Sequence, residues 1–283
     1  MLKIKMLNRS QNSNKKHNLE NSYQKVSDNN NNQKKSSNLY SLKPQRLSIP
    51  KDVSTFSIFK TLLKEVNCNF PTMQKKIDLT HILLKNRLNI ILKMKDFIIR
   101  YRLSSNSFFV AIYIMDSLIA KRLQLPIDKI GIGALVLAVK FIEIDGKMPS
   151  MNKFVDFMNN PSFTLNELIK IEIECLKKLN YVITMPNPIH FIQLFLVNGI
   201  LFNTDVKGTN TVSSNIYTMP SQLLDYVMEE NGNYFQFHPL SLACACIAQS
   251  RETYGIEKWN QILQEVFDIT FDVFEREYYY VKE

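Results

Sequence analysis

The sequence is poor in glycine, with 7 among 283 residues, and it contains a single tryptophan. Glycine-rich loops cradle phosphates in nucleotide-binding proteins, and glycine also marks the turns of loop-rich sandwiches, so this scarcity disfavours both classes. Hydrophobic residues make up 45% of the chain, which is enough for the core of one large or two ordinary domains.

Metal-binding patterns are also missing. The four cysteines, Cys68, Cys175, Cys244 and Cys246, form no C-x-x-C pair, and the scattered histidines offer no pair at zinc spacing. We therefore predict neither a metal nor a cofactor. The cysteines are interpreted as buried free thiols in a reducing compartment.

Common catalytic signatures are absent from the sequence: G-x-x-x-x-G-K, G-x-G-x-x-G, H-E-x-x-H and G-x-S-x-G do not occur. The pair Gly131 and Gly133 heads an apolar helix, where close packing explains it better than phosphate binding. His190 and His238 fall in the first turns of helices, which favours a structural hydrogen bond. We predict a protein that is not an enzyme and has no small-molecule substrate.

Positive charge is concentrated at the N-terminus. Residues 1–52 hold 11 Lys and Arg against three acidic residues, whereas the rest of the chain holds 24 against 23. This tail is rich in Asn, Ser, Lys and Gln and has few large apolar residues, so we predict disorder. Such a tail suits nucleic-acid contact, a localisation signal or simple solvation, and solvation is favoured.

No segment has the pattern of a signal peptide or a membrane span. The start, Met1–Lys5, lacks an apolar core, and the longest uncharged apolar stretches, 104–115 and 130–139, are too short to cross a bilayer. We therefore expect a soluble protein of the nucleus, the cytoplasm or both, with no membrane partner.

From residue 55 onward, apolar residues recur at helical spacing. This pattern predicts a short first helix over 55–66, and then five helices over 75–101, 105–122, 129–143, 151–158 and 165–179. Asp128 is the predicted cap of the third of these five, and Thr164 with Glu167 forms a predicted capping box for the fifth. A second helical set follows, opening at Asn187-Pro188 and continuing over 220–230, 239–253, 256–266 and 270–282. The predicted fold class is all-α with two similar halves.

Four ionisable residues stand inside these apolar helices: Arg87, Asp116, Lys140 and Glu172. Buried charge is costly unless it is paired. Spacing alone favours a solvated edge position for each of them.

Residues about 84–195 resemble a cyclin box. Arg87 and Asp116 stand at the separation of a helix-bracing ion pair in that family. Leu137–Ile144 is similar to the family's L-A-x-K-x-E-E motif, and Glu172 opens a segment similar to E-x-x-x-L-x-x-L-x-[FY]. Pro186–Phe191 resembles the P-x-P-x-x-F opening of the second box in A- and B-type cyclins.

The resemblance implies an all-α fold of two five-helix cyclin-box repeats, preceded by a disordered tail and a short helix. The implied domains are a basic tail over 1–52, the helix and first box over 53–185, and a cyclin-like helical domain over 186–283. The implied function is that of a regulatory subunit that binds and activates a cyclin-dependent Ser/Thr kinase in the cell cycle. The kinase-binding residues carried over from the family are Lys140, Phe141, Glu172, Leu176, Tyr181 and Ile183, whereas Arg87 and Asp116 are structural.

Two other functions compete with this one. A transcription-type cyclin or a factor-IIB-like protein has the same helical architecture, but a factor-IIB core is basic and follows a zinc ribbon, so nucleic acid is a disfavoured partner. A helical enzyme is disfavoured because the sequence indicates no set of titratable residues that converge on one site.

Overall fold

A computed structural model of the protein describes residues 55–69, 81–183, 186–202, 205, 214–230 and 232–283, so the predicted tail over 1–52 lies outside the described residues. These ranges contain helices and no strand, which confirms the all-α prediction. Eleven α-helices are described: α1 Thr55–Asn69, α2 His81–Arg100, α3 Ser105–Ala120, α4 Ile127–Ile142, α5 Met151–Phe157, α6 Leu165–Lys178, α7 Pro188–Asn198, α8 Met219–Glu230, α9 Pro239–Thr253, α10 Gln261–Phe267 and α11 Glu275–Lys282.

Helices α2 to α6 form the first half, with α3 and α4 at its centre. Helix α3 is apolar almost all round, and its residues 107–118 are all buried. Helix α4 has small residues where neighbouring helices approach it. A Cβ atom added to Gly133 would lie 2.6 Å from Cys175 Sγ of α6, so only glycine fits at this contact. The predicted role of this glycine in close packing is thus confirmed.

Local hydrogen bonds fix where several helices begin. The predicted capping box of α6 is present, because Thr164 accepts from the Glu167 amide and Glu167 accepts from the Thr164 amide. The predicted cap at Asp128 is wrong. Helix α4 begins at Ile127 after Pro126, and Asp128 lies in its first turn, where a carboxylate favours the positive end of the helix dipole.

Helices α7 to α11 form the second half. The prediction of α9 over 239–253 is confirmed, with His238 as its N-cap. The predicted helix over 256–266 begins only at Gln261, since the Asn260 side chain caps it there. A positive φ of 72° at Gly255 also separates α9 from the turn that follows.

The buried apolar residues of both halves form one continuous core. Helix α1 packs on the second half, where Phe59 contacts Phe191 and Phe267 with ring centroids 6.1 and 5.6 Å apart. The domain boundary between residues 185 and 186 stays a prediction, since residues 184 and 185 lie outside the described part of the chain.

Three cysteines, Cys175, Cys244 and Cys246, are buried and free, in keeping with their interpretation as packed thiols. Burial, together with the nearby carboxylates of Glu174 and Glu172, raises the pKa of Cys175 to about 12. The side chain of Cys68 lies outside the described residues. Because thiolates rather than thiols react, the described cysteines are poor nucleophiles at neutral pH.

Helix α7 carries a pH-sensitive cap. The Asn187 amide donates to His190 Nδ1 over 3.1 Å, and the Asn187 side chain accepts from the Ile189 amide. Burial lowers the pKa of His190 to about 4. The neutral imidazole is therefore the capping form, since protonated Nδ1 has no lone pair for the Asn187 amide.

We predict that His190 makes the fold less stable in mild acid. Unfolded His190 binds a proton below about pH 6.5, whereas folded His190 resists until about pH 4. Stability from this group is therefore complete above pH 6.5 and falls by about 1–3 kcal/mol as the pH drops towards 4. The variant His190→Gln keeps an acceptor in the cap without titrating, so urea unfolding should show a flatter pH dependence than the wild type. Equal slopes for the two proteins between pH 6.5 and 4 would refute this role.

Candidate functional site

Lys140 and Glu172 lie together at one surface of the first half. Lys140 is in the last turn of α4 and Glu172 is in the middle of α6. Lys140 Nζ donates to both carboxylate oxygens of Glu172, over 2.6 and 2.8 Å. The exposed fractions of their side chains are 37% and 13%, so the lysine faces solvent and the glutamate is mostly buried. The pair offers an ammonium and a carboxylate at a single point of the surface.

The close contact between α4 and α6 brings this pair together. Gly133, which lies two turns before Lys140 on α4, packs against Cys175 and Ile171 of α6. The end of α4 is fixed by Glu143, whose Oε1 accepts from the Ser104 amide and the Ser107 hydroxyl, both over 2.6 Å. The packing of Gly133 on one side of Lys140 and the hydrogen bonds of Glu143 on the other thus fix the position of the Lys140 backbone.

Large apolar residues lie near the pair along the chain. Phe141 is 47% exposed and Tyr181 is 66% exposed, while Leu176 and Ile183 are partly buried against the core. Tyr181 has a positive φ of 60°, and its amide donates to the Leu176 carbonyl, so it lies in the turn that ends α6. An exposed aromatic residue in this left-handed conformation is uncommon and directs the chain away from the helix.

The apolar surface is larger than the sequence predicted. Leu165, Ile169 and Ile173 are each about two-fifths exposed on α6, and Ile144 is 69% exposed just after α4. At 100° per residue, Leu165, Ile169, Ile173 and Leu176 fall on the same stripe of α6 as Glu172. The signal was present in the sequence as apolar residues at i, i+4 and i+8. However, that spacing alone predicts a buried stripe. We call Lys140, Glu172 and the apolar residues around them the α4–α6 surface.

Arg87 and Asp116 form a buried ion pair between α2 and α3. Arg87 Nε lies 2.8 Å from Asp116 Oδ1 and Arg87 Nη2 lies 2.7 Å from Asp116 Oδ2, which is the bidentate geometry of a strong pair. The exposed fractions of the two side chains are 1% and 0%. Neither is available to a partner molecule.

This ion pair also reaches the second half of the molecule. Arg87 Nη2 donates to the Met228 carbonyl at the end of α8 over 2.8 Å, and the Tyr234 hydroxyl donates to Asp116 Oδ2 over 2.6 Å. A cation at the C-terminal carbonyls of a helix complements the helix dipole. On the surface beside it, Lys95 of α2 pairs with Asp225 and Glu229 of α8 over 2.7 and 2.6 Å.

Sequence reasoning missed a second buried ion pair. Arg251 of α9 lies 2.8 Å from Asp205, and their side chains are 0% and 4% exposed. Arg251 also donates to the carbonyls of Ile200 and Glu257. Arg251 follows an apolar helical stretch as Lys140 does, which was a usable signal. Its partner lies 46 residues earlier in a polar segment, where spacing gives no indication.

The described residues contain no group of three His, Cys, Asp or Glu that could hold a metal ion. In the same ranges, no helix is both long and apolar enough to span a membrane.

Comparisons with known proteins agree on one family. Residues 57–184 match the cyclin N-terminal domain. G2/mitotic-specific cyclin-B2 of Mesocricetus auratus is 30% identical over 167 residues, and cyclin-B2 of Homo sapiens is 29% identical over the same length. G2/mitotic-specific cyclin-A of Drosophila melanogaster is 20% identical over 196 residues, or 69% of this chain and 36% of the relative. The two cyclin-B2 matches cover 57% of this chain but only 37% of each relative.

The matched range contains helices α2 to α6 and with them the α4–α6 surface and the Arg87–Asp116 pair. It coincides with the first of the two predicted helical halves. Residues 57–184 therefore match a cyclin box, and the chain is similar to cyclins of the A and B types.

Proposed function

We propose that this protein is a regulatory subunit that binds a cyclin-dependent Ser/Thr kinase through the α4–α6 surface, activates it and so controls progression of the cell cycle. The observation that carries the proposal is the Lys140–Glu172 pair, 2.6 Å apart, with exposed apolar residues on the same two helices. The relatives named G2/mitotic-specific cyclins support a role in cell division.

The chemistry of this surface suits docking against another helix. An apolar rim of Phe141, Tyr181, Ile169 and Ile173 supplies area that is lost from water on binding. The charged pair at its edge provides directed hydrogen bonds that set the register of the partner. Burial of most of the Glu172 side chain limits its rotamer freedom, which lowers the entropic cost of forming those bonds.

Activation in this proposal is conformational. A partner helix that docks here would be the C-helix of the kinase, whose inward position completes the Lys–Glu pair that holds the nucleotide phosphates and helps to order the activation loop. Binding shifts the kinase towards its active conformation. The size of this shift equals the difference between the binding free energies of the active and the inactive conformation at this surface. The cyclin-box protein supplies binding energy and no catalytic group, and it acts in the nucleus, the cytoplasm or both.

The test is direct binding and phosphotransfer with a panel of purified cyclin-dependent kinases, both cell-cycle and transcriptional. We expect a 1:1 complex with at least one cell-cycle kinase and a large increase in its phosphotransfer rate over the kinase alone. A complex with transcriptional kinases only would contradict the cell-cycle role. Failure to bind any kinase in the panel would overturn the proposal.

A further inference from the structure

The two halves of the folded chain carry opposite charge. Residues 53–185 hold 19 Lys and Arg against 11 acidic residues, whereas residues 186–283 hold 5 against 12. The net charge of the two halves together is therefore near zero, although the second half alone is strongly acidic. Such a field favours basic ligands there.

The excess of acid is densest in one stretch. Between residues 259 and 275 there are four acidic residues and no basic one, and Glu265, Asp268, Asp272 and Glu275 are all exposed. In the described part of the chain, none of the four has a Lys or Arg within ion-pair distance. We call residues 265–275 the acidic segment.

The acidic segment also exposes apolar side chains. Val266 is 43% exposed and Val273 is 61% exposed, each next to or near one of the four carboxylates. The interleaved pattern of valine and carboxylate fits an extended chain that carries both basic and apolar residues.

Helix α1 begins beside the acidic segment. Phe59, one turn after the first residue of α1, packs on Phe267 inside that segment. The C-terminal end of α1 lies near the start of α9 instead, because Asn67 contacts His238 there. The chain that precedes Thr55 therefore joins the described fold close to Glu265 and Asp268.

The sequence just before α1 has matching chemistry. Residues 34–51 contain Lys34, Lys35, Lys43, Arg46 and Lys51 and no acidic residue. Large apolar residues lie between these charges: Leu39, Tyr40, Leu42, Leu47 and Ile49. Both the sign of the charge and the interleaved apolar residues are complementary to the acidic segment.

We propose that residues 34–51 dock on the acidic segment of the same chain. Because residue 51 is four positions from α1, the tether is short and holds the basic residues at an effective concentration of the order of millimolar. Weak exposed ion pairs suffice to occupy the surface under these conditions. The contact is independent of kinase binding, which involves the α4–α6 surface of the other half.

Carbodiimide coupling, which joins a lysine amine to a carboxylate only when they touch, tests this contact in the full chain. We expect peptide mapping to find links from Lys34, Lys35, Lys43 or Lys51 to the acidic segment at low salt. The yield should fall by about tenfold in 1 M salt, where the Debye length is about 3 Å. It should fall equally in the triple variant Glu265→Gln, Asp268→Asn, Asp272→Asn. Asparagine tolerates the left-handed backbone at position 268, where φ is 53°, so the fold is preserved.

A matched control neutralises three exposed acids of the first half by the same chemistry: Asp145→Asn, Asp156→Asn and Glu174→Gln. This control should retain the links. Links spread evenly over both halves, links that survive the first triple variant, or an absence of links would each overturn the proposal. Coupling a mixture of ¹⁵N-labelled and unlabelled chains adds a further test, since mixed-isotope links would show that the occupant is another copy.

Discussion

Replacing Lys140 with alanine is expected to abolish capture of the kinase while leaving the melting temperature almost unchanged. The Lys140–Glu172 pair lies at the surface, and the lysine is 37% exposed, so it contributes at most about 1 kcal/mol to folding. In a desolvated interface, loss of one charged partner costs about 2–5 kcal/mol, which is roughly 30-fold or more in Kd. Titration calorimetry with the kinase and a thermal melt of the free protein measure the two effects separately.

Lys170→Ala is the matched control for this variant. Lys170 is also exposed and lies on α6, two residues before Glu172 and thus about 160° away around the helix. It should bind the kinase like the wild type. Glu172→Gln should weaken binding as Lys140→Ala does. Wild-type binding by Lys140→Ala, or equal losses for Lys140→Ala and Lys170→Ala, would exclude the α4–α6 surface as the docking site.

The second large effect concerns stability. Arg87→Met should lower the free energy of unfolding by about 3–5 kcal/mol, because it leaves the Asp116 carboxylate buried without its counter-ion. Adding Asp116→Asn to Arg87→Met removes that charge, so the double variant should recover part of the loss. Chemical denaturation of the single and double variants measures both steps.

Arg100→Met provides the comparison on the same helix. Arg100 pairs with Asp96 over 2.6 Å, but both side chains are about two-thirds exposed. The change should therefore cost less than about 1 kcal/mol. If Arg87→Met and Arg100→Met destabilise the protein equally, burial of the Arg87–Asp116 pair does not contribute to stability as we argue.

Local patterns predicted much of the fold. Helix α3 was predicted over 105–122 and is described over Ser105–Ala120, and the Thr164–Glu167 capping box marked the start of α6. Both signals depend on residues within two turns of one another, which a sequence presents directly. The start of α10 was misplaced by five residues because the Asn260 cap, rather than Gly255, determines it.

The candidate site was harder to predict from spacing alone. Lys140 and Glu172 are 32 residues apart, and resemblance to a family rather than periodicity indicated that they act together. The exposure of Ile169 and Ile173 could not be predicted, since their spacing is that of any core-facing stripe. Tertiary packing decides which stripe faces the interior, and α6 presents a different one, with Leu168, Ile171 and Cys175, to the core.

The buried guanidinium of Arg87 has one more consequence. Similarity to the cyclin N-terminal domain ends at residue 184, yet Arg87 and Asp116 obtain hydrogen bonds from Met228 and Tyr234, more than forty residues further on. A fragment that stopped at residue 184 would retain every motif of the box. Its buried Arg87 and Asp116 would, however, lose their hydrogen bonds with Met228 and Tyr234. The stretch that is recognisable as a cyclin box is therefore shorter than the stretch that satisfies the hydrogen bonds of its buried charges.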